Sequence, residues 1–300
     1  SLLHVAEDEL EWQARGREVE REYEPIAALV KHEGTRKWGC DAFRKFHKVY
    51  PDYDPDNLAA YCLTLDSPRF DWCDIPGGEI RLRREGAARV LRIASFQIGK
   101  YPVTSAQFQE FVDASDGYRD EHWWDFSGDA LAWRKAHPEP IQTKKPVHDH
   151  PAVNVCWYEA VAFCRWYSSR TGDTIVLPNE LQWQWAAQGD DGRSYPWGNV
   201  FESTRCNTSE GKMGRTMPVS YHMSGASPYG VLDMAGNVWE WCANTEDRVM
   251  TVTLTGDRKR IVKGGSFIGN AERATCKFRY ALKPESRFTS IGFRLVRLNY

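Results

Sequence analysis

The chain has 300 residues, of which 42% are hydrophobic and 27% are charged, and its formal net charge is −2. These values are typical of a globular protein with a sizeable core. No basic cluster is present, which argues against nucleic acid as the main partner. No apolar run reaches the roughly 18 residues of a membrane span either. Because the sequence also shows no signal peptide, we expect a cytoplasmic protein without a membrane partner.

Aromatic residues and glycine are unusually frequent, with 13 Trp, 13 Tyr, 13 Phe and 23 Gly. This composition indicates a loop-rich core in which large rings fill the space between few regular elements. The 8 cysteines include no C-x-x-C pair, which excludes zinc ribbons and thioredoxin-like motifs. We expect most of them to be reduced and buried.

Residues 1–68 are predicted to form a helical linker or docking segment. Apolar residues recur at helical spacing in its first half, with Glu and Arg between them. Pro25 lies inside this run and should break or kink the helix. A second helix is predicted for residues 36–50, and Asp56 is expected to cap a third, short one.

From residue 69 onward the sequence becomes rich in Gly and aromatic residues. Residues 90–98 have the branched and aromatic side chains of a strand. Residues 118–150 contain several Trp and Pro and are predicted to form a long structured loop. Residues 157–170 have apolar side chains at helical spacing, and Gly172 is expected to end that helix.

Two further helix starts carry a capping-box pattern. Thr104 is followed three residues later by Gln107, and Asn179 is followed in the same way by Gln182. In such a box each side chain bonds the backbone N–H of the other residue. We therefore predict that helices begin immediately after Thr104 and Asn179.

In the segment 263–294, regular motif positions alternate with irregular ones. Its regular positions, here called the framework, are Gly-Gly-Ser-Phe at 264–267, Arg279, Pro284, Arg287 and Ile-Gly-Phe-Arg at 291–294. The residues between them share no chemical character. A regular scaffold with irregular filling indicates a fixed backbone that carries a changeable surface, either an active site or a binding face.

The order of the motifs along the chain identifies a family resemblance. The motifs are Pro-Val-Thr-Ser-Ala-Gln-Phe at 102–108, Val-Cys-Trp-Tyr-Glu-Ala-Val-Ala-Phe-Cys at 155–164, Leu-Pro-Asn-Glu-Leu-Gln-Trp at 177–183, Tyr-Pro-Trp-Gly-Asn at 195–199, Tyr-Gly-Val-Leu-Asp-Met-Ala-Gly-Asn-Val-Trp-Glu-Trp at 229–241, Gly-Gly-Ser-Phe at 264–267 and Gly-Phe-Arg at 292–294. Together they resemble the formylglycine-generating enzyme family, also called sulfatase-modifying factor domains, over residues 74–296. The resemblance implies an α+β, C-type lectin-like fold with little regular secondary structure for residues 69–300, preceded by the helical segment 1–68.

The resemblance also implies a structural calcium site. Its ligands would be the side chains of Asp233 and Glu240 and the backbone carbonyls of Gly236 and Val238. Carboxylate and carbonyl oxygens are the ligands that calcium prefers. The alternative is a glycine turn in which Glu240 makes hydrogen bonds instead.

A second calcium site of the family would lie near Asn207 and Thr208. Its acidic ligand aligns with Gly211, which has no side chain, and only Glu210 is adjacent. We therefore expect no second site.

The resemblance does not extend to the catalytic residues. The family's enzymes carry two cysteines after the Gly-Gly-Ser-aromatic motif, and this thiolate pair binds copper, since cuprous ion requires soft ligands. Gly269 and Ala274 stand at these positions, and Cys276 is the only thiol in the stretch, with Cys242 a remote second candidate. We therefore expect no copper. The iron-dependent sulfoxide synthases of the same superfamily use clustered histidines, a spacing that the histidines of residues 1–68 lack.

A subset of the family serves as the variable protein of diversity-generating retroelements, in which adenine-directed mutagenesis changes fixed codons near the C-terminus. The implied pattern begins with Cys-x-x-Arg and four free positions before a Pro. Two free positions then precede an Arg, and three free positions precede Ile-Gly-Phe-Arg. Residues 276–294 match this pattern. On this hypothesis the chain is a non-catalytic ligand-binding protein. Its ligand face would consist of Tyr280, Leu282, Lys283, Glu285, Phe288 and Thr289, with Ile268 and Asn270 at the edge.

Other interpretations remain open. Leu282 and Phe288 would be core residues if the segment is an ordinary loop, whereas the framework arginines are interpreted in either case as paired inside the protein. The chain would instead be a degenerate module of a larger signalling or defence protein if an effector domain precedes Ser1. A metal-dependent oxidase of the same family would hold its metal near Cys276. The partner at the ligand face is an unknown protein or small ligand.

Overall fold

A computed structural model describes residues 2–32, 35–65, 69–84, 87–141, 147–247 and 251–298. The chain divides into two compact units, residues 1–67 and 68–300. The predicted domain boundary at residue 68 lies outside the described residues. No described helix is long and apolar enough to cross a membrane.

The first unit is helical. Its helices are α1 (Leu2–Lys31), α2 (Arg36–Val49) and α3 (Leu58–Leu65). Tyr23, Val30 and Phe43 are buried where the helices pack. The helix α1 continues through Pro25, so a break at this residue, one of the two predicted outcomes, is wrong. Burial of the apolar residues on both sides of Pro25 outweighs the one backbone hydrogen bond that proline removes.

Asp54, rather than the predicted Asp56, caps α3. Its carboxylate accepts hydrogen bonds from the backbone N–H groups of Leu58 and Ala59 at 2.7 and 2.9 Å. Asp56 instead pairs with a lysine of α1 at 2.9 Å. Asn57 has a φ of 53°, so the chain turns sharply just before the helix and leaves Asp54 over its N-terminus.

Cys40 and Cys62 form a disulfide and are the exceptions to the expectation that most of the cysteines are reduced. Packing of α2 and α3 brings their Cα atoms to 5.4 Å although they are 22 residues apart in sequence. The six other cysteines are free, and all of them except the half-buried Cys73 are buried, as expected.

The second unit contains two four-stranded sheets and a hairpin. In chain order, its strands are β1 (Trp72–Ile75), β2 (Gly78–Arg84), β3 (Ala87–Ile93), β4 (Phe96–Gly99), β5 (Thr174–Val176), β6 (Trp239–Thr245), β7 (Arg260–Lys263), β8 (Tyr280–Leu282), β9 (Ile291–Gly292) and β10 (Val296–Leu298). The antiparallel first sheet has the order β1-β4-β10-β5, and β2 pairs with β3. The second sheet has the order β8-β7-β6-β9, in which β9 runs parallel to β6.

The helices of this unit are α4 (Ser105–Asp113), α5 (Gly128–Ala136), α6 (Trp157–Thr171) and α7 (Glu180–Gln188). Three of these four described helices, α4, α6 and α7, begin where the sequence predicts. Both predicted capping boxes are present, at Thr104 with Gln107 and at Asn179 with Gln182. Gly172 ends α6 with a φ of 73°, as predicted.

Two predictions of secondary structure are wrong. The strand predicted for residues 90–98 is two strands, β3 and β4, which pair with different partners. The stretch predicted as a loop at residues 118–150 contains the helix α5 and a short 3-10 helix, Glu121–Trp124. The hydroxyl of Ser127 caps α5 by accepting from the backbone N–H of Ala130 at 3.1 Å.

Lys263 at the end of β7 is a fully buried cation. Its ammonium nitrogen has no hydrogen-bond partner among the described residues, and it lies 5.5 Å from the ring centre of Trp183. Burial lowers the pKa of Lys263 to about 8. The free thiols of Cys242 and Cys276 lie in the same part of the core, and burial raises the pKa of both.

We expect Lys263→Met to stabilise the protein at pH 7, by about 1–3 kcal/mol, since it removes an unpaired buried charge at the loss of one cation–π contact. The folded-state pKa is depressed, so the cost of the charge is constant below pH 8. Between pH 8 and the unfolded-state pKa of about 10.4, the unfolded chain keeps a proton that the folded protein has released. The cost of the buried charge therefore declines over this range.

Urea unfolding of both proteins at several pH values between 7 and 10.5 tests this expectation. The raised thiol pKa values make stability fall with pH in both proteins, so their contribution cancels in the difference. A variant that is less stable than the original chain at pH 7 would show that the ammonium is stabilised by a partner.

Candidate ligand-binding site

Arg294, the last framework residue, is fully buried beside Glu240 of β6. Its Nε and Nη2 atoms lie 2.5 and 2.6 Å from the two carboxylate oxygens. The indole N–H of Trp183 donates to Glu240 Oε2 at 2.6 Å. The guanidinium also donates to the carbonyls of Gly99 and Leu232. Such a charge pair, with additional hydrogen bonds on both partners, fixes β9 and the residues after it against β6.

Arg287 and Arg279 make two further bidentate pairs. Arg287 Nε and Nη2 lie 3.0 and 2.5 Å from the carboxylate of Glu159, which also accepts from the backbone N–H of Cys156 at the start of α6. Arg279 Nε and Nη2 lie 2.8 and 3.2 Å from Glu180, the first residue of α7. The interpretation that the framework arginines are paired internally is therefore confirmed.

The glutamate partners were missed in the sequence, although a signal for two of them was present. Glu159 is the only charged residue in the motif at 155–164, and Glu180 is the only one in the motif at 177–183. Arginines placed inside a core require carboxylates, and each of these apolar motifs offers a single one.

Backbone hydrogen bonds fix the chain between the framework arginines. The carbonyl of Pro284 accepts from the N–H of Trp157 at 2.9 Å, and the carbonyl of Phe288 accepts from the N–H of Asn154 at 3.0 Å. Pro284 itself is buried. The segment therefore has a defined path although only β8 and β9 are regular in it.

The ligand face is largely exposed. Tyr280 and Phe288 are 54% and 49% exposed, which is unusual for aromatic side chains. The other exposed members are Lys283, Glu285 and Thr289. Leu282 is half-buried against the core, so the alternative that it is a core residue is partly correct. Phe288 is exposed and is not a core residue. The ring of Tyr280 lies 6.2 Å from that of Trp239, which is in β6 of the same sheet.

Ile268 and Asn270 belong to a separately held loop. Ile268 is 65% exposed, and Asn270 caps the 3-10 helix Ala271–Ala274. The carbonyl of Gly269 accepts from the N–H of Ser209 at 2.9 Å, so this loop is anchored on a different segment from the one that holds residues 280–289.

The predicted calcium ligands lie around one turn, and both of their carboxylates accept hydrogen bonds inside the protein. Arg294 and Trp183 already bind both oxygens of Glu240, as the glycine-turn alternative requires. Asp233 Oδ2 accepts from the side chain of Asn237 at 3.0 Å, and burial raises the pKa of Asp233 to about 7. Within the described residues, no group of three or more His, Cys, Asp or Glu side chains is placed to share a metal.

The carbonyls of Gly236 and Val238 lie in the turn that precedes β6, and both residues are buried. Gly236 has a φ of 78°, and a Cβ atom there would lie 2.3 Å from the carbonyl oxygen of Asn207. Close backbone packing is therefore sufficient to explain this glycine.

Comparison with known proteins gives the same assignment as the motifs. Residues 69–299 match the family described as the sulfatase-modifying factor enzyme 1-like domain. "Inactive C-alpha-formylglycine-generating enzyme 2" of Mus musculus is 31% identical over 254 residues, which cover 70% of this chain and 77% of that protein. The formylglycine-generating enzyme of Thermomonospora curvata is 30% identical over 283 residues, which cover 73% and 91%.

Two solved structures have the same fold. Treponema denticola variable protein 1 aligns with a TM-score of 0.58 and 20% identity over 76% of this chain and 95% of its own. PvdO from Pseudomonas aeruginosa aligns with a TM-score of 0.58 and 19% identity over 75% and 93%. The predicted fold, an α+β scaffold of the formylglycine-generating enzyme and C-type lectin kind with an N-terminal helical segment, is confirmed.

We expect the framework and the ligand face to differ sharply in their tolerance of substitution. Arg287→Ala leaves the buried carboxylate of Glu159 without its cation and should lower the free energy of unfolding by about 3–5 kcal/mol. Replacing Tyr280, Lys283, Glu285, Phe288 and Thr289 together by alanine should change it by no more than about 1 kcal/mol, because exposed side chains contribute little. Urea unfolding measures both.

Lys283→Ala is the matched control for Arg287→Ala, since it removes one positive charge from the exposed side of the same segment. Comparable losses in the framework and face variants would contradict the division between them.

Proposed function

The chain belongs to the family of sulfatase-modifying factor enzyme 1-like domains, and we propose that it is a non-catalytic member that binds a ligand through a variable surface. The observation that carries this proposal is the division of segment 263–294. Its framework residues are buried or internally paired, and five of the six irregular positions of the ligand face are exposed. A fold with this division can change its surface residues without loss of its core.

The chemistry of the face supports binding. Tyrosine and phenylalanine supply large contact areas at a low cost in side-chain entropy, and they are typical of the central residues of protein interfaces. Lys283 and Glu285 lie 3.9 Å apart beside them and add polar selectivity. Treponema denticola variable protein 1 has this fold and is named as a variable protein, and we place this chain in the same functional class.

The state of the cysteines supports the absence of catalysis. Gly269 and Ala274 stand where the enzymes of the family have their thiolate pair. Burial raises the pKa of Cys276 to about 12, so this residue is a neutral thiol at physiological pH. A neutral thiol is a poor nucleophile, and a single cysteine cannot supply the thiolate pair that holds cuprous ion in the family's enzymes.

Sequencing of the coding region tests the variable surface. Deep sequencing of the codons for residues 263–294 in many isolates of the source organism should find substitutions at adenines in the codons of the ligand face. The codons of Arg279, Pro284, Arg287 and residues 291–294 should be constant, and the codons for the buried motif at 155–164 serve as a comparison outside the segment. Equal substitution rates in face and framework codons would contradict a diversifying mechanism.

Metal analysis tests the non-catalytic assignment. Purified protein incubated with cuprous ion should retain far less than one equivalent, and a Gly269→Cys/Ala274→Cys variant should gain copper. The cysteine at position 269 has room for its side chain, because a Cβ atom added to Gly269 would lie 3.4 Å from the nearest atom, the carbonyl oxygen of Ser266. Stoichiometric copper or iron in the original chain would support the oxidase interpretation instead.

A further inference from the structure

The second sheet brings both halves of the ligand face to one of its ends. The strands β6 and β8 are each antiparallel to β7, and β9 is parallel to β6, so β6, β8 and β9 run in the same direction. Their first residues, Trp239, Tyr280 and Ile291, therefore lie at the same end of the sheet. Phe288 and Thr289 come just before β9 and belong to this end as well.

The loop that carries Ile268 starts from the same end of the sheet. The strand β7 runs in the opposite direction and finishes at Lys263, which pairs with Glu240, the second residue of β6. The N–H of Phe267 donates to the carbonyl of Asn237 at 3.0 Å, two residues before β6 begins. The loop and the ligand face therefore leave one end of one sheet, although the outer part of the loop has its own anchor.

Trp239 lies between the two halves of the ligand face. In the order β8-β7-β6-β9, its strand is inside the sheet, and β8 and β9 are the edge strands. The centre of its ring is 6.2 Å from that of Tyr280 and 5.9 Å from that of Phe278. Its backbone N–H donates to the carbonyl of Ser290, next to Thr289, at 2.9 Å. Trp239 is thus in contact with the chain on both sides of the face.

The ring of Trp239 supports the exposed ring of Tyr280. Trp239 is only 8% exposed, whereas Tyr280 is 54% exposed, so the tryptophan forms a floor on which the tyrosine lies. A side chain held against a fixed ring loses less conformational freedom when a partner binds. Large aromatic residues at the centre of an interface contribute most of its binding energy. Trp239 has the position and the chemistry for such a central role.

The width and chemistry of this end of the sheet fit a protein partner. Neighbouring strands are about 4.8 Å apart, so β8 and β9 are separated by about 14 Å. Sites for small molecules enclose most of the ligand in a concave cleft, whereas protein interfaces extend over roughly 20–30 residues with aromatic residues near the centre. Exposed apolar side chains distributed over this width, namely Tyr280, Phe288 and Ile268, are typical of a protein interface.

We propose that the ligand face and the loop with Ile268 form one contact surface centred on Trp239, and that its ligand is a folded protein. The partner places an apolar surface against Tyr280, Phe288 and Ile268, and Trp239 acts as a positioning residue that holds the ring of Tyr280. This inference rests on the proposed binding function and selects a protein, rather than a small molecule, as the ligand.

A naive phage library of single-domain antibodies, selected against the full chain, provides the probe. Most enriched binders should lose at least tenfold in affinity for Tyr280→Ala and also for Ile268→Ala, because one footprint covers both residues. Val90→Ala is the matched control for Ile268→Ala. Val90 is a branched residue that is 54% exposed on the hairpin of β2 and β3, and its replacement should leave affinity unchanged.

Two substitutions of Trp239 test its positioning role. Binders that require Tyr280 should lose at least tenfold in affinity for Trp239→Leu and less than threefold for Trp239→Phe, which keeps a ring under the tyrosine. The NMR shifts of the Tyr280 ring protons, assigned with Tyr280→Phe, should change in either variant because the indole ring current is lost. This measurement needs no binder, and Trp239→Phe supplies it if the leucine variant does not fold. Unchanged shifts would overturn the positioning role.

The remaining outcomes separate this inference from the proposed function. Binders that respond to Tyr280→Ala and not to Ile268→Ala would show two separate surfaces and overturn the single one. Enriched binders that respond to neither substitution would contradict a protein-binding surface at this end of the sheet. Diversified codons found together with that result would support the variable surface while overturning a protein as its ligand.

Discussion

Three bidentate arginine–glutamate pairs determine the path of the C-terminal segment. Each pair joins it to a different element: Arg279 to the start of α7, Arg287 to the first turn of α6 and Arg294 to β6. The carboxylates are almost completely buried, so each pair depends on its partner for compensation of a large desolvation cost. Replacing either partner leaves a charge inside the protein, which makes these positions resistant to change.

Because of these pairs, the exposed side chains between the arginines have no structural role. Because charge pairing and backbone hydrogen bonds already define the segment, the side chains of Tyr280, Lys283, Glu285 and Phe288 are not needed to hold it. Stability and surface chemistry are thus assigned to different residues of one short stretch. Such a division is the physical requirement for a surface that changes while its scaffold does not, and it supports a binding role for this member of an enzyme family.

The core accommodates its buried charges by ion pairing and by contact with an aromatic ring. Arg294 satisfies Glu240, a residue for which the family resemblance implied calcium, and a guanidinium in that place supplies positive charge without a metal. Lys263 remains unpaired and is tolerated because its ammonium lies beside the face of Trp183.

The sequence by itself determined the features that depend on neighbours three or four residues apart. The capping boxes at Thr104 and Asn179 and the glycine end of α6 were predicted correctly, because both partners of each interaction lie in one short stretch. The motif order determined the family, its fold and the placement of the framework.

Only the tertiary structure decided which distant groups meet. It paired Glu240 with Arg294, joined Cys40 to Cys62 and continued α1 through Pro25. Each of these outcomes depends on packing between separated elements, whose energies exceed local preferences and leave no regular spacing in the sequence.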